Sequence, residues 1–167
     1  MGLVSNLKNK FCQKYYHLKI KKKAAACGER LYVGGKSFVN SKTYLGEHVC
    51  FNGMSILGNG KVEIGNYFHS GSGCEIITSF HNYEGNKIPY DDTFIDKDVI
   101  IGDCVWLGNN VTILGGVKIG QGAIIQAGSV VCKDIPAYSI AGGHPALPFK
   151  TRNIEHYLSL KKEGSFH

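Results

Sequence analysis

Aliphatic residues recur at every sixth position along much of this chain, and few folds can use such a period. From Ile95 the series runs through Ile101, Leu107, Ile113, Ile119 and Ile125 to Val131. An earlier series holds Val33, Val39, Leu45, Phe51 and Leu57, then slips by one residue to Ile64, Ser70 and Ile76. Six fits neither the 3.6-residue turn of a helix nor the two-residue alternation of a strand. It does fit a short strand and a sharp corner, repeated. The aliphatic residue then points inward, and a small or β-branched residue two places earlier packs beside it: Val99, Val105, Val111, Val117, Ala123 and Ser129. The residue after the aliphatic one is often Gly or Asn, as at Gly46, Asn52, Gly65, Gly102 and Gly120. Such residues are suited to the positive φ a tight corner can require. Three hexads close one triangular coil, and stacked coils bury a continuous aliphatic column. The spacing alone does not set the hand of the coil.

The period divides the chain. Residues 1–30 form a basic N-terminal arm, residues 31–147 the repeat domain, and residues 148–167 a tail with a short helix expected near Ile154–Lys162 that caps the open end of the solenoid. The clock stops between Ile76 and Ile95, where a polar and aromatic stretch suggests an extruded loop over 77–94. A rigid repeat scaffold has no need of such an insertion, so function is a natural reason for it. In the arm, Leu3, Leu7, Phe11, Tyr15 and Leu18 fall at helical spacing among lysines. This predicts an amphipathic helix that docks on the body or a neighbouring subunit, with peripheral contact to anionic lipid as a second role.

Charge narrows the function classes. The formal net charge is +6, yet Lys8, Lys10, Lys14, Lys19, Lys21, Lys22 and Lys23 all lie in residues 1–28, which hold no acidic residue. The remainder is nearly neutral, so nothing resembles the basic face of a nucleic-acid-binding domain. The six cysteines are widely spaced, with no metal-ligand pattern, and read as reduced thiols in packing sites. With no secretory signal pattern and no long apolar run, the expected location is the cytoplasm, with the arm free to meet the inner membrane face.

The chemistry-bearing residues gather where the period fails. His17, His156 and His167 belong to the termini, while His48 and His69 sit within repeats. Only His81 and His144 stand where the pattern breaks. An imidazole with a pKa near neutrality is an economical base for removing a hydroxyl proton. Asn52 follows inward Phe51 at a corner and is explained equally by corner geometry or by a ligand. Trp106 precedes inward Leu107, so it points outward as an interface residue or a ligand platform. Tyr83, Glu84, Asp91 and Asp92 are loop groups able to orient His81 or meet a substrate.

These motifs resemble a known family. The hexads, the HNY at 81–83, the IPY at 88–90, the VWLG at 105–108 and the stretch QAGSVVCKDIPAYSIAGGHPA at 126–146 are similar to the hexapeptide-repeat acyltransferase superfamily, in particular its maltose, galactoside and polysaccharide O-acetyltransferases. The resemblance implies an all-β fold, a left-handed parallel β-helix, assembled as a homotrimer with active sites between subunits. It implies acetyl-CoA as acyl donor, no metal, and a carbohydrate acceptor such as a capsule or lipopolysaccharide precursor. His81 maps onto the family's general base. Asn52 and Trp106 become substrate-binding residues, and Tyr83 joins them from its place in the loop rather than from the resemblance. Trp106, Ala127, Gly128, Ser129, Gly143 and Ala146 become coenzyme-binding. Leu147 stands where many relatives carry Lys or Arg, leaving Lys133, Lys150 and Arg152 as candidates for the 3′-phosphate. An N-acetyltransferase of nucleotide-linked amino sugars, an antibiotic acetyltransferase and a non-catalytic scaffold are the alternatives on the same frame.

Overall fold

The computed structural model describes the backbone of residues 3–167 and the side chains from Lys10 onward. Short strands wind into a left-handed prism with three parallel faces. The first face stacks Ala26–Cys27, Thr43–Leu45, Val62–Ile64, Val99–Ile101 and Lys118–Ile119. The second stacks Tyr32–Val33, Cys50–Phe51, His69–Ser70, Trp106–Leu107, Ile124–Ile125 and Ser139–Gly142. The third stacks Met54–Leu57, Cys74–Ile77, Thr112–Leu114 and Val130–Val131. Ile101 lies over Ile119, Leu107 over Ile125 and Ile113 over Val131, so three hexads make one coil. All of these aliphatics are buried, as are Val99, Val105, Val111, Val117, Ala123 and Ser129 behind them. Burial of this column is the main source of stability. The first face begins at Ala26, which pairs with Tyr44, inside the stretch assigned to the arm.

Two positions of the sixfold series do not point inward. Leu57 is 44% exposed, and Ile56 takes the core site instead, together with Met54. The extra residues are absorbed in the following corner. Ile95 lies outside the prism, in an antiparallel pair opposite Phe80, so the second series starts at Ile101.

The glycines after the inward residues also have a different reason from the expected one. Positive φ falls two places later, at His48, Tyr67, Cys104, Gly122 and Tyr138. At Gly46, Gly65 and Gly102 the constraint is the neighbouring coil. A Cβ there would meet Asn66 Oδ1 at 2.6 Å, Asp103 Oδ1 at 2.6 Å and the Gln121 amide nitrogen at 2.7 Å, respectively. The same side chains tie coil to coil: Asn66 Oδ1 accepts from the Glu47 amide and Asp103 Oδ1 from the Asn66 amide, each at 2.8 Å.

Both termini pack along the prism. Helix α1 (Leu3–Lys23) docks on the first coil through buried Ile20, Tyr16 against Phe38, and His17 Nδ1 at 3.0 Å from the Leu31 carbonyl. Leu3 and Leu7 of the expected stripe lie outside the residues whose side chains are described. The tail does not cap the end as a helix. Strand Leu147–Thr151 pairs antiparallel with Ser139–Gly142 and covers that sheet edge. Helix α2 (Ile154–Lys162), N-capped by Asn153 Oδ1 accepting from the His156 amide, then runs back down one corner of the prism. That corner is the column of positive-φ residues, whose side chains splay sideways. Tyr157 packs on Tyr138 (centroids 5.2 Å) and over Gly122, and Phe166 stacks on Tyr67 (3.8 Å), which stacks on His48 (4.5 Å). The tail therefore has a row of aromatic seats along the side and none at the end.

Candidate active site

The chain leaves the third face after Ile77 and forms an antiparallel hairpin, Ser79–His81 against Phe94–Asp96. His81 stands opposite Phe94 in the register. Its imidazole stacks on Tyr90 (centroids 3.8 Å, 15°) and leans on Phe94 (4.6 Å). The ring is exposed, and neither nitrogen has a hydrogen-bond partner among the described residues. Such a ring is oriented by packing while both nitrogens stay open to a ligand.

The loop between the hairpin strands is organised by Asp91. Its carboxylate accepts from the Thr93 amide (2.8 Å), the Thr93 hydroxyl (2.5 Å) and the Asn86 amide (3.1 Å). These donors, the Thr93 hydroxyl first, hold the Asp91 carboxyl below the usual carboxylate range. Asp92 pairs with Lys87 at 2.5 Å. The hydrogen bonds of Asp91 and the ion pair of Asp92 go to partners other than His81, and Tyr83 is exposed on the loop. Of the groups that hold the imidazole, Phe94 is reached through the hairpin register and Tyr90 through the fold of the intervening loop, neither of which the sequence displays.

A second cluster lies on the second face. Trp106 is 52% exposed and stands beside His69 in the next coil. Asn52 Nδ2 lies 3.2 Å from His69 Nε2 and donates to the Ser70 carbonyl at 2.9 Å. Nε2 is thus the acceptor of a neutral ring. Burial, and secondarily the nearby His167, push the His69 pKa below the ordinary imidazole value. A cleft of about 440 Å³ opens here, walled by Tyr67, His69, Trp106, Arg152 and Phe166. The repeat pattern concealed that His69 and the tail residues line this cleft, because a repeat position and a chain terminus each have a bland explanation.

The third cluster is the corner after the second face. Ala127 and Gly128 are exposed there, and a Cβ on Gly128 would meet nothing within 4 Å. The Val130 amide donates to the Gly143 carbonyl (3.0 Å), the Ala146 amide to the Val130 carbonyl (2.8 Å), and the Gly143 amide to Ser129 Oγ (3.2 Å). His144 Nε2 contacts the Gly128 carbonyl. Ser129 and Ala146 are buried, so they offer backbone rather than side chain. Small residues around an open glycine form a cradle that a pantetheine-like arm can approach closely. Lys133 and Lys150 are exposed, Lys133 at the next corner and Lys150 on the edge strand. Arg152 lies elsewhere: it donates to the Gly122 carbonyl (3.1 Å) and sits 4.8 Å over the Tyr157 ring.

Within one chain, His81 projects from the corner between the third and first faces, whereas Asn52 and Trp106 lie on the second face. One copy does not join them. No group of three or more potential metal ligands occurs among the described residues, and no helix described is long and apolar enough to cross a membrane. All six cysteines are free; only Cys74 is a buried packing residue.

Residues 98–133 match the bacterial transferase hexapeptide family of six repeats. A chloramphenicol acetyltransferase of Klebsiella aerogenes is 32% identical over 120 residues, covering 62% of this chain and 57% of that protein. This chain spans about half the length of the curated relatives it matches. A galactoside acetyltransferase in complex with coenzyme A has a TM-score of 0.72 and 27% identity, over 83% of this chain and 70% of the other. The maltose O-acetyltransferase of Clostridium difficile 630 also has a TM-score of 0.72, at 24% identity, over 90% and 89%. Residues 98–133 thus carry the hexapeptide repeat of bacterial transferases, and the chain shares the left-handed β-helix fold of these acetyltransferases.

Proposed function

We propose that the protein transfers an acetyl group from acetyl-CoA to a hydroxyl of a sugar or glycan, with His81 as general base. The observation that carries this reading is the His81 imidazole, exposed and fixed between Tyr90 and Phe94 on a hairpin that the prism does not need. His81 takes the proton of the acceptor hydroxyl as its oxygen attacks the thioester carbonyl. The carbon–sulfur bond then breaks, and the imidazolium returns that proton to the departing thiolate. The Ala127–Ser129 and Gly143–Ala146 corner holds the pantetheine arm, and Lys133 and Lys150 supply positive charge for its phosphates. Trp106 and Asn52 face the acceptor, and His81 reaches them from a neighbouring copy in a trimer. Tyr83 lines the acceptor side of the hairpin. Galactoside and maltose acetyltransferases among the structural neighbours support a sugar acceptor. The similarity to chloramphenicol acetyltransferase supports a second reading, in which the hydroxyl belongs to an antibiotic.

The test is thiol release from acetyl-CoA across galactosides, maltose, amino sugars and chloramphenicol. Turnover is expected on sugar hydroxyls, and His81→Ala should lower kcat by at least about 100-fold without loss of folded structure by circular dichroism. Undiminished turnover in that variant removes His81 from the mechanism. Release with chloramphenicol alone assigns the antibiotic reading, and release only with amines assigns N-acetylation.

A further inference from the structure

Helix α1 carries two apolar stripes, and the body of the protein uses one of them. The docked side presents Gln13, Tyr16, His17 and Ile20, a set at helical spacing with Ile20 only 1% exposed. Phe11, Tyr15 and Leu18 fall at i, i+4 and i+7 on the opposite side, at 74%, 51% and 57% exposure. Exposed Lys14, Lys19 and Lys22 border this outer stripe. Lys19 Nζ lies 5.7 Å from the Tyr15 ring centroid, so part of the positive rim sits directly over the aromatic face.

We propose that the outer face of α1 docks on a bilayer containing anionic lipid. Three features select that occupant. The arm holds seven lysines and no acidic residue through position 28, a charge that attracts an anionic surface. A second copy of the same arm would bring like charge against like charge. The surface is also a convex ridge on a single helix, with apolar rings between lysines, which suits the boundary between headgroups and acyl chains. Phe11 and Leu18 then enter that boundary while the lysines remain at headgroup level.

The test is co-sedimentation of the full chain with vesicles of phosphatidylcholine alone and with vesicles in which about a third is phosphatidylglycerol. Binding is expected only to the anionic vesicles and should weaken as salt is raised. The double substitution Phe11→Ser with Leu18→Ser should lower partitioning at least about tenfold. Lys14→Gln with Lys22→Gln should lower it about fivefold for each lysine removed. Both pairs sit opposite the docked face, so the melting curve should stay that of the parent. Absence of binding to anionic vesicles overturns the proposal, as does binding that the Phe11/Leu18 pair leaves unchanged. Loss of subunit association in that variant, read by light scattering, assigns the stripe to contact between copies instead.

Discussion

His69 shows how a repeat position acquires chemical character. It occupies an ordinary outward site beside buried Ser70, yet Asn52 donates toward its Nε2 and the tail encloses it. Burial and His167 both disfavour the imidazolium, so its folded pKa lies below that of the unfolded chain. A depressed histidine pKa means that the unfolded state binds the proton first. Its contribution to stability is therefore intact above the unfolded imidazole value and declines as the pH falls toward the folded value. Melting temperatures measured from about pH 7 down to about pH 5 should drop for the parent and drop less for His69→Gln. Equal slopes in the two proteins would show that the neutral ring is not a determinant of acid sensitivity.

At the scale of elements, the hairpin depends on one carboxylate. Asp91 gathers the Thr93 amide, the Thr93 hydroxyl and the Asn86 amide, directly after Tyr90, on which His81 stacks. Asp91→Ala should leave the melting temperature nearly unchanged, because the prism does not rest on the loop, while lowering kcat about tenfold or more through a misplaced imidazole. The KM for acetyl-CoA should hold. A variant with parental kcat would show that the aromatic stack alone positions His81. The hairpin also marks the limit of what the sequence displayed. The break in the sixfold series located it, and the HNY at its first strand singled out His81. Ile95, however, fell on the sixfold beat by coincidence, since its place is set by pairing with Phe80 rather than by the core. Leu57 was displaced because the four-residue strand Met54–Leu57 buries Met54 and Ile56. The path of the tail left no periodic trace: it is fixed by single contacts, Tyr157 over Gly122 and Phe166 on Tyr67, with partners that lie distant in sequence. The glycines were visible as a pattern, but their cause was not, because close approach between coils is a property of stacking.

For the whole molecule, the decisive relation is between His81 and Trp106. The chain puts the first on a hairpin at the corner between the third and first faces, and the second on the second face. A rigid prism cannot bend to join them, since each coil is fixed to its neighbours by ladder hydrogen bonds and a close-packed column. A site that uses both must draw them from different copies, which a closed ring of three provides through one repeated heterologous contact. This yields a test that needs no knowledge of the acceptor's exact structure. His81→Ala and Trp106→Ala, each alone, should be nearly inactive with whichever acceptor supports turnover. If the protein is the proposed trimer, the two co-expressed chains should assemble into mixed rings in which an interface can pair an intact His81 from one copy with an intact Trp106 from the next. Random assortment restores about a quarter of the sites, so the mixture should regain about a quarter of parental activity. Recovery no greater than the average of the two single variants would place both residues' roles within one chain and break the link between prism geometry and the proposed site.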